Sequence, residues 1–523
     1  MRTLRVGMVS VWIAIALAAV WGETAAAVDQ PPVIGEKKVS DRLIELTIDS
    51  PSFTEPTKVH VFLPTGYGAD PAKRWPVTYV LAGMMNNYNS FANQLKGEQL
   101  TARYPSIIVS PDGNSGFWSD WYNGGAFGPP EYETFVIDQL IPLIDGRYRT
   151  DPRRSQRAIS GISMGGYGSM MMAARHPDLF GQAASISGAV DSNDPAIGTV
   201  LSLAPTFDGG AIDAIYGSRL DQEVRWRGHN PTDLAANLRG MKLQLRTANG
   251  ILAPEIGEGS EPADIASCVV ETGVYQGSTN MHERLVRLGV EHQWKDYGNG
   301  CHTPENFTRE TNDTLAGFEQ GFADPAPDPS SFEYRSIEPH FSIWGWDVDA
   351  DPRRALEFMR IEAGRSSVTL EGSGRTTVTT PPWYRGLKAV DAGGVPVRPG
   401  ADGRVRFTVD LGPGHTVQQY RLGAATSFKT ATVALRPHAR AIITKAKSVR
   451  RGVRVCFRAA GGTLPNARLK VGKRKVKVKV AAKVKCRTVR IKKKKRRPRF
   501  VLLTGRDTFG HSAKAKLAVK RRR

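Results

Sequence analysis

A serine stands between two glycines at Gly161-Ile162-Ser163-Met164-Gly165, with a short β-prone run before it and a small-residue helix after it. Arg157-Ala158-Ile159-Ser160 reads as the end of a strand, and residues 166–175 (GYGSMMMAAR) as a helix able to pack closely on a sheet. A strand that turns directly into a helix through Gly-x-Ser-x-Gly holds the serine under strain with its hydroxyl exposed, and the glycines let neighbouring backbone pass. The pattern alone is weak, since a chain with 53 Gly in 523 residues carries roughly 0.3 such matches by chance. The flanking strand and helix are what make Ser163 a candidate nucleophile.

The surrounding sequence extends the same architecture. Residues 77–81, 106–110, 157–160, 184–187, 242–246 and 293–297 look like successive strands, with helical stretches such as 135–148 and 281–288 between them. Strand and helix in alternation predict an α/β domain with a mostly parallel sheet covered on both faces. A Pro-rich linker around 322–332 follows (ADPAPDPSS), and residues 333–422 then read as short strands with Gly and Pro turns, a β-sandwich-like pattern. From 428 to 523 the pattern is again β but Lys-rich, and Lys475-Val476-Lys477-Val478-Lys479-Val480 alternates strictly, which predicts a second small all-β domain. A chain of 523 residues exceeds what one core supports, so the expected division is a leader at 1–27, the α/β domain at 28–322 and the two β domains.

The leader has the form of a secretory signal: Arg2 and Arg5, an apolar stretch over 6–20 broken only by Ser10, and Ala25-Ala26-Ala27 as a small-residue cleavage site. A membrane anchor is the alternative, though the stretch is shorter than the ~20 residues a spanning helix needs. Export suits the four cysteines, whose spacing suggests the pairs Cys268–Cys301 and Cys456–Cys486. No Cys-x-x-Cys points to metal or redox chemistry, and no cofactor is expected. Asp347, Asp349 and Asp351 alternate as in a calcium loop, but Pro352 replaces the required glycine and Phe358 the twelfth-position glutamate, so a solvated turn fits better.

A serine hydroxyl needs a base, and the base needs a third group to orient it. The chain order expected for this arrangement is Ser, acid, His. Among His282, His292 and His302, only His302 lies in a loop after the last strand, so it is the candidate base. The acid is open among Glu255, Glu258, Glu261, Asp264 and Glu271. A Cys268–Cys301 bridge would bring α-carbons to about 5–6 Å, three residues from Glu271 and one from His302, which favours Glu271. The oxyanion hole is expected from the amide of Met164 and that of Met84, with Gly83 letting the backbone turn inward.

The stretches VTYVLAGMMNNYNSF, SPDGNSGFWSDWY, YETFVIDQLIPLID, AISGISMGGYGSMMMAARHPDLF and GCH resemble the esterase D and antigen 85 group of α/β-hydrolases over residues 40–320. The block Trp118-Ser119-Asp120-Trp121-Tyr122 resembles the mycolyltransferase branch in particular. That resemblance implies a Ser163, Glu271, His302 triad and acyl-ester chemistry, with Met85, Trp118 and Asp120 as substrate-pocket candidates. It also shows a departure: Ala82 and Met85 stand where that branch carries an Asp and an Arg for its sugar acceptor. The expected activity is therefore a secreted serine esterase. Acyl transfer to a carbohydrate or glycerol hydroxyl, and a non-catalytic wall-binding protein on a hydrolase scaffold, are the alternatives.

The net charge of +22 is local. Residues 436–523 hold 33 Lys and Arg against one acid, Asp507, while the other 435 residues hold 39 basic and 49 acidic residues, a balance of −10. The run IKKKKRRPR (491–499) resembles a nucleic-acid or nuclear signal, but export excludes nucleic acid as a partner. Anionic wall polymers or lipid headgroups, held by nonspecific electrostatics, are the expected partners; a solvated charged surface is the alternative.

Overall fold

The computed structural model describes residues 30–520 apart from 260, 451, 492–497 and 509. The expected leader (1–27) and most of the basic run at 491–499 lie outside the described residues.

Nine strands form one mixed sheet: β1 (Val33–Lys38), β2 (Leu43–Ile48), β3 (Thr57–Phe62), β4 (Val77–Leu81), β5 (Ile107–Pro111), β6 (Arg157–Ile162), β7 (Gln182–Ile186), β8 (Lys242–Thr247) and β9 (Gln293–Asp296). Their spatial order is β1-β2-β3-β5-β4-β6-β7-β8-β9. β4 to β9 run parallel, whereas β1, β2 and β3 pair antiparallel and join at β5. Every residue of β4, β5 and β7 is buried, as expected for strands covered on both faces. The fold is an α/β-hydrolase fold, with the sequence-read strands reproduced to within two or three residues at their ends and three antiparallel strands added in front.

The site follows from the strand order. The chain leaves β4 for β5 on one side and crosses to β6 on the other, so the carboxyl ends of β4 and β6 flank the point where connections diverge. Crevices in open α/β sheets form at such switch points. Gly83 follows β4 and Ser163 follows β6 at that place.

Several antiparallel sheets follow. A six-stranded and a four-stranded sheet enclose a core that includes Ile343, Trp346, Val348, Ile361 and Leu370. The strand Lys429–Pro437 belongs to the six-stranded sheet, where it pairs with Ser367–Gly372 and Val390–Ala392. The strand thus belongs with the preceding sheets and not after the break read between 422 and 428: in this segment (KTATVALRP) Ala431, Val433 and Leu435 turn toward the core of those sheets, ahead of the lysine alternation further on. This β unit grips the hydrolase unit. Arg175, at the end of the helix Met164–Arg175, pairs with Glu133 at 2.7 Å and Glu338 at 3.0 Å, and Tyr334 donates to the Arg175 carbonyl. Beyond it, a three-stranded and a four-stranded sheet share a core of Val453, Val455, Leu469, Val471, Val501 and Leu503. Cys456 and Cys486 are direct cross-strand partners and form a disulfide. Among the described residues no helix is long and apolar enough to cross a membrane.

Candidate active site

Ser163 occupies a sharp turn between β6 and the helix Met164–Arg175, with φ 57° and ψ −117°. A non-glycine residue in such a conformation costs on the order of 1–3 kcal/mol and persists only where its surroundings enforce it. Here they do. Ser163 N donates to Ile186 O at 3.0 Å, and Ser163 O accepts from Tyr167 N and Ala189 N, both at 3.2 Å. The glycines are steric requirements: a Cβ at Gly161 would lie 2.2 Å from Gly165 O, and one at Gly165 would lie 2.0 Å from Leu81 O. A Cβ at Gly168 would meet the Trp118 side chain at 2.5 Å.

Glu271 and His302 meet although 31 residues separate them. His302 Nδ1 lies 2.7 Å from Glu271 Oε2, and Glu271 is wholly buried on the helix Pro262–Leu288. The other carboxylate oxygen, Oε1, accepts from Ser187 Oγ at 2.7 Å, Ala248 N at 3.0 Å and Thr247 Oγ1 at 3.2 Å. With four donors around it, Glu271 functions as an acceptor only, which places the hydrogen of His302 on Nδ1. Among the described residues, His302 Nε2 is buried and has no hydrogen-bond partner. An imidazole so held presents its basic nitrogen away from the acid.

Two further ties hold the histidine loop. Cys268, on the Glu271 helix, is bonded to Cys301, next to His302. Glu258 accepts from Cys301 N at 2.7 Å and from Thr303 Oγ1 at 2.8 Å, clasping both neighbours of His302. Its second oxygen accepts from Ala253 N at 2.8 Å. Glu258 stands among the acids open from sequence; the structure gives it the loop and gives Glu271 the imidazole.

Gly83 lies against the serine: a Cβ there would be 3.4 Å from Ser163 Cβ and from Ile162 O, an ordinary contact. Gly83 does not adopt a positive φ; the left-handed residue of this turn is Met85, at φ 61°. Met84 and Met164 therefore follow residues that border the same point. Met164 has its side chain in the core, where its sulfur accepts from Phe117 N, and Met85 is 72% exposed.

Two substrate-pocket candidates are corrected. Trp118 is completely buried beside Gly113 and Gly168 and donates its indole N–H to Ala82 O at 3.1 Å, so it supports the turn after β4 from below. Asp120 accepts from Thr134 N at 3.0 Å and Thr134 Oγ1 at 2.6 Å, fixing the chain at 131–134. Burial, reinforced by the charge of Glu133, raises its carboxyl to about 6. Trp121 of that block lines a cleft instead. Asp112, Asn114, Trp121 and Tyr132, with Lys58 and Asp208, border a cavity of about 610 Å³ at the carboxyl end of β5. Outside the site, His282 and His292 bond each other at 2.7 Å, and Asp347, Asp349 and Asp351 bond Arg404, His340 and Arg353.

Residues 50–318 match the Esterase family. Esterase Rv1288 of Mycobacterium tuberculosis is 31% identical over 241 residues, 45% of this chain and 50% of that protein. The diacylglycerol acyltransferase/mycolyltransferase Ag85B of Mycobacterium avium is 28% identical over 241 residues, 43% of this chain and 71% of that protein. The chain thus spans about half the length of the first of these relatives. Among solved structures, MPT51 (FbpC1) of Mycobacterium tuberculosis aligns at 19% identity and a TM-score of 0.44, covering 54% of this chain and all of that one.

Proposed function

Because the chain belongs to the Esterase family, we propose that it is an exported serine esterase that cleaves carboxylic esters through a covalent acyl-enzyme. The observation that carries this reading is His302, bound through Nδ1 to buried Glu271 while Nε2 has no partner among the described residues. In this reading Ser163 Oγ attacks the ester carbonyl and His302 Nε2 takes its proton. The Met84 and Met164 amides hold the oxyanion that forms. As the tetrahedral intermediate collapses, the alcohol leaves with the proton from His302, and water then enters by the same route in reverse. Hydrogen bonds between nucleophile and base commonly tighten only once substrate is bound. Two disulfides support an oxidising compartment.

Transfer to a sugar or glycerol hydroxyl differs only in the acceptor, and named acyltransferases among the relatives favour considering it. The turn after β4 carries no charged anchor at Ala82 or Met85, and sites that select polar substrates depend on such contacts. Hydrolysis is therefore the expected outcome. Turnover of a short-chain acyl ester, measured with and without glycerol or glucose, should yield mostly free acid; acylated acceptor in excess of acid would reverse the assignment.

The basic module suits a polyanionic surface, such as a wall polymer. Lys470 stands directly opposite Lys475, and Arg468 opposite Lys477, in one exposed sheet face. Like charges so placed are destabilising, and a bound polyanion would relieve that. The one acid of the region, Asp507, is buried and accepts from Ala439 N and His511 N. The full chain should be retained on an anionic polysaccharide matrix at low salt and released as ionic strength rises, because the screening length falls to about 8 Å at 0.15 M. A chain ending at Pro437, after the last strand of the preceding sheet, should pass through unretained; equal retention of both would defeat this reading.

A further inference from the structure

Glu310 lies wholly inside the protein on the helix Pro304–Ala323, beside the serine that holds Glu271. Ser187 Oγ is 2.7 Å from Glu271 Oε1, and 3.2 and 3.1 Å from the two Glu310 oxygens. Asn306 Nδ2 donates to Glu310 Oε1 at 3.2 Å. Ser187 itself has φ 42°, in the left-handed region, and is held there by its N–H on Arg246 O at 2.9 Å.

Hydrogen counting decides the state of this cluster. A hydroxyl has one hydrogen, and the short contact gives that of Ser187 to Glu271. Ser187 Oγ then turns lone pairs toward Glu310, whose oxygens would repel it if both carboxyls were ionised. The charged and titratable groups around are few. Glu271 comes from the helix Pro262–Leu288, His302 from its loop, and Arg309 from the helix of Glu310 itself. Arg246 on β8, Tyr297 after β9 and Asp313, which Tyr297 bonds, lie beyond them. Arg309 directs Nη2 to Asn299 O and Asn306 Oδ1, and Arg246 directs Nη2 to Gln244 and Gln293, so neither forms an ion pair with Glu310. Burial first, and then the charge of Glu271, push the Glu310 carboxyl well above its ordinary range. One hydrogen on Glu310 completes a directed chain: Glu310 donates to Ser187, Ser187 to Glu271 Oε1, and His302 Nδ1 to Glu271 Oε2.

We infer that Glu310 is a positioning residue that, as the neutral acid, fixes Ser187 as a donor to Glu271 and thereby sets the orientation of His302. This rests on the triad proposed above. Its role is to hold Oε1 of Glu271 so that Oε2 remains aimed at the imidazole, without itself touching substrate.

The test compares the full-length protein with Glu310→Gln, which keeps a neutral donor, Glu310→Leu, which removes it, and Ser187→Ala, which removes the shared hydroxyl. On a p-nitrophenyl ester, Glu310→Leu and Ser187→Ala should lower kcat roughly tenfold or more with KM little changed, and Glu310→Gln should restore kcat/KM to within about threefold. The acidic limb of the pH profile should stay within about 0.2 unit for Glu310→Gln, because no charge has been removed. A limb displaced downward by about half a unit or more would mean that Glu310 is ionised in the native protein, and would overturn the inference. So would kcat within about twofold of wild type in both Glu310→Leu and Ser187→Ala. The far-downfield proton resonance of His302 Nδ1–H reads the same network without any substrate. It should persist in Glu310→Gln and shift or vanish in Glu310→Leu; an unchanged resonance in all variants overturns the inference even if no ester is ever turned over. Loss of ester turnover by the wild type, with the resonances behaving as expected, would instead count against the esterase reading alone.

Discussion

Replacing Ser163 by alanine is expected to lower kcat on a short-chain ester by about 10⁴-fold or more. The same change should abolish labelling by a fluorophosphonate at that position. The size of the effect follows from what remains. The two amides and the imidazole stay in place, but without Oγ no acyl-enzyme can form, and catalysis falls to what oxyanion stabilisation and binding supply. Folding should survive, because the turn is enforced by the glycine contacts to Leu81 and Gly165 and by three backbone hydrogen bonds, none of which involves the hydroxyl. An unchanged unfolding midpoint with lost turnover is the predicted pair of results. Failure of folded wild-type protein to label, or labelling at a different serine, would sink the assignment of Ser163.

Glu271→Gln should cost about 10³- to 10⁴-fold in kcat, with a much smaller effect on stability. The reason is the number of donors around the carboxylate. Three of them, from Ser187, Thr247 and Ala248, converge on Oε1, and the fourth, His302 Nδ1, meets Oε2. An amide has only one acceptor oxygen. With the glutamine oxygen turned to the three donors, its NH₂ faces the imidazole and forces the hydrogen onto Nε2, where the base should be. The reverse orientation sets an NH₂ against three donors. Activity within tenfold of wild type would show that another group orients His302, with Glu258 the nearest alternative in the loop.

The parts of the fold and site that were legible in the sequence are those specified locally. The elbow is written in Gly161 and Gly165, which have no room for a Cβ. The buried strands are written in short runs of β-branched, aromatic and apolar residues such as VTYVL. The contact between His302 and Glu271 is legible because His302 follows the last strand and a disulfide could join the Glu271 helix to that loop. Features made by distant segments were not legible. β1 is mostly exposed, β2 and β3 are partly buried, and no helices lie between them, so an alternation of strands and helices passes over them. The helix Pro262–Leu288 is legible only at its end, because its first half exposes Ile265 and Val269 and carries no clear apolar stripe. Trp118 and Asp120 misled for the opposite reason: an aromatic and a carboxylate in a loop suggest a pocket, and only tertiary packing shows them turned inward. Ser187 and Glu310, 123 residues apart, gave no signal at all.

The bridge from Cys268 to Cys301 gives the assembly of this site a redox condition. It closes a stretch of 33 residues that contains Glu271 and ends beside His302. Closing a loop of that length constrains the unfolded chain by about 3–4 kcal/mol at 25 °C. Glu271 and His302 are therefore tied together once the bridge has formed, and in a reducing solution they are held by noncovalent contacts. Under the export proposed above, the pairing of Glu271 with His302 would be secured in the oxidising environment, not while the chain is being made.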